Sequence, residues 1–300
     1  MKVLLLFPMA DGQTGPAIKH AFENLGHTVK SVDAKIYPGA SYLSAHDFKP
    51  DLVFCSRTAT LVPQILKIRA EFKHAMVCTW LVDTRTTTDH WKHLFPLITA
   101  SNYFFIVASR LIPEWKKINP NTFWLPQGLQ DEIYGRPKII TDEDRQKYLC
   151  DVSFAGSSRD PRGLFLDNIE QMNIHFKKWG NFGQKIYNEE HNKMVALSKI
   201  NLACSGWPEN EKTTSVRNYK IMGAGGFLLE LYRKGIYEIF PEDTLDCYKT
   251  PEDLAEKIRY WLDHEEERKE IAASGYKWIH ENATYTHRIE MALDYMKADL

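Results

Sequence analysis

The stretch "KVLLLFPMADGQTGPAIKHAFENLG", Lys2–Gly26, decides the fold. Lys2 leads into a continuous apolar run ending at Phe7. Such a run suits a strand covered on both faces. A glycine-containing loop follows, and then Ile18, Ala21, Phe22 and Leu25 recur at helical spacing. Pro16 suits a first helical turn and Gly26 a helix end. A strand that passes through a tight turn into a helix is the opening of a parallel strand–helix–strand unit.

The unit repeats. "HTVKSVD", "DLVFCS", "AMVCTWLVD", "YFFIVAS" and "TFWLPQG" read as further strands. "VPQILKIRAEF", "HWKHLFPLI" and "LIPEWKKI" read as the helices between them. Residues 131–148, "DEIYGRPKIITDEDRQKY", are polar without core periodicity and read as a linker. The pattern then restarts with "CDVSFAGS", a strand ending at Gly156, followed by alternating helices and strands. The expected fold class is α/β: two Rossmann-like, doubly wound domains, residues 1–130 and 149–283, facing across a cleft where ligands bind.

The chain has 300 residues, with Lys+Arg 38 against Asp+Glu 39. This near balance gives no global basic field for nucleic acid or an anionic membrane, though it leaves room for a local basic patch. The five cysteines, Cys55, Cys78, Cys150, Cys204 and Cys247, are widely spaced with no Cys-x-x-Cys. They read as buried free thiols in a reducing compartment. No window supplies the roughly 20 apolar residues of a membrane span. The N-terminus has neither the apolar length nor the small-residue site of a signal peptide. The expectation is a cytoplasmic protein that begins with a buried strand.

The familiar phosphate and catalytic motifs are missing: no G-x-G-x-x-G, Walker loop, G-x-S-x-G elbow or H-E-x-x-H. The histidines do not cluster at metal-ligand spacing, and no metal is expected. Asp142-Glu143-Asp144 reads as part of the solvated linker.

The chemistry concentrates in "TTSVRNYKIMGAGGFLLE", Thr213–Glu230. Ser215 suits an N-cap. Arg217 and Lys220 share one face at the helix start, where the backbone dipole is already positive. An anion there would meet free N–H groups, a guanidinium fork and an ammonium, and every charge term would change sign. Gly225 and Gly226 allow a sharp reversal and a close approach to ligand. The ligand inferred is a phosphate or diphosphate. The other reading is a surface helix whose long cations extend into water.

Other candidates sit at predicted strand ends. Gly156, Ser157, Ser158 and Arg159 form a small-residue loop suited to a phosphate or to a plain turn. Trp207, in "CSGWP", either stacks on a base or packs. In the first half Asp83 and Asp11 emerge after apolar strands, as a general base or as turn and cap acids. Asp33 reads as a strand-end marker.

Four stretches carry a resemblance: "FWLPQGLQDEIY", "DVSFAGSSRDPRGLFL", "SKINLACS" leading into "SVRNYKIMGAGGFLLE", and "YKTPEDLAEKIRYWLDHEEERKEIAASGYKWIHENATYTHRI". Together they resemble the CgeB-type, spore-protein-like glycosyltransferases, relatives of the large group-1 glycosyltransferases of GT-B fold. The resemblance covers most of residues 123–290. It implies a nucleoside diphosphate sugar donor held mainly by the second domain, with no obligatory cofactor or metal and with retention of anomeric configuration. It also implies a final helix, about 284–300, crossing back to the first domain. Ser215 and Arg217 match that family's S-x-R, and Gly225-Gly226 its glycine pair. Relatives usually carry Glu where this chain has Lys220, and in the wider group that acid binds ribose hydroxyls. A lysine cannot accept those hydrogen bonds. Either another group binds the ribose, the donor is unusual, or the site is degenerate. The expected activity is sugar transfer to an acceptor hydroxyl. The other readings are a non-catalytic nucleotide-sugar-binding relative and a DNA-modifying transferase acting on a hydroxylated base.

Overall fold

The computed structural model describes residues 1–157, 162–206 and 209–299. The chain forms two compact units: Met1–Gln127 with Asn210–Thr213 and Tyr285–Leu300, and Gly128–Glu209 with Thr214–Thr284.

The first unit holds a six-stranded parallel sheet. Its strands are β1 (Lys2–Phe7), β2 (Thr28–Asp33), β3 (Leu52–Ser56), β4 (Met76–Leu81), β5 (Tyr103–Ile106) and β6 (Thr122–Trp124), in the order β2-β1-β3-β4-β5-β6. Both faces are covered, which is why β1, β3, β4 and β5 read as unbroken apolar runs. On one face Val3, Leu5, Phe7, Phe22 and Phe54 pack with Tyr285, Ile289, Ala292 and Met296 of the helix Tyr285–Met296. On the other, Leu4, Leu6 and Val53 pack with Ile65 and Ile68 of the helix Val62–Glu71. Gly15 is required where the first helix meets the strand, since a Cβ there would collide with Pro8 O.

The second unit holds a five-stranded parallel sheet of β7 (Cys150–Gly156), β8 (Phe176–Gly180), β9 (Ser198–Ala203), β10 (Leu228–Leu231) and β11 (Asp246–Tyr248), in the order β11-β10-β9-β7-β8. Its core joins Val152, Phe154, Ile200, Leu202 and Leu229 to Leu166, Leu254 and Ile258 of the covering helices. Both sheets have the flavodoxin-like strand order. The first strand of each lies between its second and third, and that reversal opens a crevice at the carboxyl ends.

Residues 131–148, expected as a linker, lie within the second unit. Tyr134 and Tyr148 are buried, and Asp142–Tyr148 is a helix. Thr141 caps it through a capping box with Asp144. The acidic run is therefore a helical first turn, where carboxylates complement the dipole. The Thr141 backbone N–H, with Lys193, holds Asp144 down at about 2.

Gly225 and Gly226 end the helix Val216–Gly223. Gly225 has φ +81 and donates to Met222 O at 2.9 Å, and Gly226 donates to Ile221 O at 3.0 Å, a Schellman pair. A Cβ on Gly226 would collide with Val195 Cγ1 and lie 2.7 Å from Asn201 Nδ2. Gly226→Ala should therefore destabilise the protein by roughly 1–3 kcal/mol, measurable as a lowered denaturation midpoint. An unchanged midpoint would show that Val195 and Asn201 yield freely.

Candidate functional site

At the carboxyl end of the second sheet, Ser215 caps the helix Val216–Gly223, its Oγ accepting from the Arg217 N–H at 3.3 Å. Arg217 turns back under β7. Its Nε donates to Ala155 O at 2.6 Å, and its guanidinium lies over the Phe154 ring, 4.9 Å from the centroid. Gly156 makes this path possible, because a Cβ there would collide with Arg217 Nη2. Arg217 Nη1 is buried and has no hydrogen-bond partner. Burial, with Arg162 nearby, lowers the guanidinium pKa to about 10.

One turn on, the Lys220 ammonium sits over the Tyr134 ring at 4.3 Å. Burial first, and then Arg217, lowers Lys220 to about 8. His191, from the helix Asn188–Ala196, meets the same tyrosine edge-on at 5.5 Å between ring centroids. It is 5% exposed and its Nδ1 has no partner. Burial, then Lys220 and Arg217, lowers it to about 3, so it is neutral at working pH.

Ser215, Arg217, Lys220 and His191 line a pocket of about 220 Å³. Ala155 and Gly156 close it from β7, Gly180 and Asn181 from β8, and Lys185, Ile186 and Tyr187 from the following loop. No Asp or Glu is among the described residues that line it. Two half-buried like charges with no carboxylate among the described lining residues are costly, a cost that the charge of Glu230 only partly offsets at Arg217, and an orphaned buried N–H adds to it. An anion inside would reverse both terms, at a helix N-terminus beside the strand-order reversal.

The sequence candidates divide clearly. Arg217, Lys220, Ser215 and Gly156 come together in this pocket. Gly225 and Gly226 lie at the other end of the helix and do not line it; they terminate and pack. The Ser157 Oγ and carbonyl accept from Arg162 Nη1 at 3.0 and 3.1 Å, while Arg162 Nε donates to Cys204 O at 2.5 Å. Ser157 is thus a loop anchor, and Arg162 ties the loops after β7 and β9 together. Glu230, fully buried, fixes the latter loop from β10, accepting from the Ser205 N–H and Oγ at 3.0 Å. Ser158, Arg159 and Trp207 lie outside the described residues. Sequence reasoning missed His191, Tyr134, Lys185 and Arg162.

In the first unit, Asp11 is exposed in the turn after β1. Asp83 follows β4 and pairs with Arg57 at 2.5 Å, both side chains nearly half exposed. Asp33 accepts the Met9, Lys35 and Ile36 N–H groups at 2.9, 3.0 and 3.1 Å. The first of these lowers its pKa most, so Asp33 serves as a loop pin. All five cysteines are buried and free. Among the described residues, no group of three or more His, Cys, Asp or Glu is placed to hold a metal ion. No described helix is long and apolar enough to cross a membrane.

The two Rossmann-like units define a GT-B fold. Solved structures of that architecture align over nearly the whole chain. The Anabaena HepE protein in complex with UDP and glucose has a TM-score of 0.68 at 11% identity, covering 99% of this chain and 100% of that one. The sucrose-phosphate synthase of Thermosynechococcus elongatus has a TM-score of 0.70 at 9% identity, covering 99% and 98%. The lipopolysaccharide outer core galactosyltransferase WaaB has a TM-score of 0.55 at 12% identity, covering 100% of both. A family model described as glycosyl transferase-like matches residues 159–294, which include most of the pocket. Sequence comparison with curated proteins gave no match.

Proposed function

We propose that the protein is a glycosyltransferase of the CgeB type, moving a sugar from a nucleoside diphosphate to an acceptor hydroxyl. The observation that carries this reading is the buried, unpartnered Nη1 of Arg217 in a pocket with no acid among its described lining residues, at a helix N-terminus. The diphosphate occupies that pocket. Arg217, Lys220 and the first-turn N–H groups neutralise the charge that grows on it as the sugar departs. Asp83 or Asp11 orients or deprotonates the acceptor. The glycosyl transferase-like match and the UDP and UDP-glucose complexes of HepE support the donor class. The family analogy adds metal independence and retention of configuration.

A second reading follows from Lys220, which stands where relatives carry a ribose-binding acid: a nucleotide-sugar-binding relative without turnover. Incubating the purified protein with a panel of nucleotide sugars and acceptor extracts separates the two. Release of nucleoside diphosphate is expected. Tight donor binding with no release, even with acceptor present, would establish the second reading instead.

A further inference from the structure

His191 lines the pocket of the second unit, yet neither of its ring nitrogens has a hydrogen-bond partner. Nδ1 is occluded and Nε2 is not, so Nε2 is the nitrogen open to the pocket. The ring is held in place. It meets Tyr134 edge-on, with 86° between the planes, and Lys220 lies over the face of the same tyrosine. The next residue, Asn192, donates from Nδ2 to Ile133 O at 2.8 Å, which pins the helix Asn188–Ala196 to the segment bearing Tyr134. A buried polar group so fixed and so unsatisfied calls for a partner.

The rest of the wall says which kind. Arg217, Lys220 and Lys185 offer donors and no lone pair. Of the acceptors nearby, Ala155 O is taken by Arg217 Nε, Gly156 O by the Asn181 N–H at 3.0 Å, and Ser215 Oγ by the Arg217 N–H. The side chains of Asn181 and Tyr187 are exposed. Among the described lining residues His191 is the one buried polar side chain. Burial is the first cause of its neutrality, ahead of the two cations, and burial remains when an anion enters to meet those cations. A phosphate oxygen only accepts, and it gains most from a charged donor. A hydroxyl both donates and accepts, so it serves a neutral imidazole in either tautomer. A nucleoside diphosphate sugar carries hydroxyls on both sides of its diphosphate, on the ribose and on the sugar to be transferred.

We propose that His191 determines specificity in this pocket: its Nε2 hydrogen-bonds a sugar-ring hydroxyl flanking the diphosphate, while Arg217 and Lys220 hold the charge. The inference deepens the nucleotide-sugar reading and rests on it for the identity of the ligand.

The test is calorimetric titration of the full chain with UDP, its 2′-deoxy and 3′-deoxy forms, and UDP-glucose. The unmodified protein is compared with His191→Phe and His191→Gln. Phenylalanine keeps a ring against Tyr134 and removes both nitrogens; glutamine returns a hydrogen-bonding group near the position of Nε2. The unmodified protein should favour the ligand that carries the hydroxyl by about tenfold, because the analogue leaves a buried polar group unpaired. His191→Phe should erase that preference and leave affinity for the analogue unchanged, which also shows that the fold survives. His191→Gln should recover part of the preference. A preference for UDP over a deoxy form assigns the ribose. Equal binding of those three, with UDP-glucose held more tightly and that gain lost in His191→Phe, assigns the transferred sugar. An equal loss for all four ligands in His191→Phe, or preferences that the change leaves intact, overturns the proposal and makes the ring a packing group. In either case UDP binding by the unmodified protein would still stand. Failure of the unmodified protein to bind UDP or UDP-glucose would instead overturn the donor reading, and this assignment with it.

Discussion

Arg217→Ala should lower affinity for UDP at least about a hundredfold and leave the protein folded. Truncating one partner of a buried, hydrogen-bonded charge pair costs about 2–5 kcal/mol or more, and every 1.4 kcal/mol is a factor of ten in affinity. The folded state loses less. Arg217 contributes one hydrogen bond to Ala155 O and packing over Phe154, of which the bond is worth about 1 kcal/mol. Against this, the substitution removes a buried charge whose pKa is depressed to about 10 and an orphaned N–H. Calorimetry with UDP and a thermal melt of the ligand-free protein check the two halves together. Native UDP affinity in a folded variant would sink the diphosphate assignment. Gly156→Ala should reproduce part of the loss, because the new Cβ occupies the place of Arg217 Nη2.

The fold was legible wherever burial on both faces wrote itself as a continuous apolar run. That holds for β1, β3, β4 and β5, and for the "INLACS" run at β9. It failed where an element is short or carries little apolar signal. β11 is three residues, and the helix Ala40–Phe48 buries only Ser41 and Ala45. The stretch 131–148 looked like a linker because its surface is polar, yet two tyrosines anchor it.

The site shows the same division. Ser215, Arg217 and Lys220 could be read together because one helical turn brings them together in sequence. The glycine pair was read as ligand-approaching, although it closes the far end of the helix; a glycine pair signals a reversal without saying what lies beyond. His191 reaches the pocket, and Tyr134 packs behind Lys220, only through tertiary packing, and nothing local marks them.

Lys220 gives the second large expectation, because stability and binding should move in opposite directions there. In the free protein its ammonium is half-buried beside Arg217 with no carboxylate among the described residues lining the pocket, and this desolvation lowers its pKa from 10.5 to about 8. The charged form is therefore disfavoured in the folded state. Lys220→Met keeps the stem that lies against Tyr134 and removes the charge, so it should stabilise the ligand-free protein by on the order of 1–3 kcal/mol.

Proton linkage fixes the pH window. Below about 8 the lysine is protonated in both folded and unfolded chains, and the burial cost is present in full. As pH rises through 8 towards 10.5 the folded chain releases its proton first, so stability rises over that window and levels off above it. The methionine variant should lack this rise. Binding runs the other way, since a diphosphate is held by the ammonium and raises its pKa. Apparent UDP affinity should fall about tenfold between roughly pH 7 and pH 9, as the charged fraction of the free protein declines. In Lys220→Met the affinity should be at least about tenfold weaker at neutral pH and nearly flat across that range. Melting curves and UDP titrations at the two pH values test both trends. A variant that binds UDP as tightly as the unmodified protein, or that keeps the pH dependence, would remove Lys220 from the diphosphate site. Arg217 and the helix N-terminus would then be its only remaining positive groups on that helix, and the ammonium would belong to whatever takes the place of the ribose-binding acid.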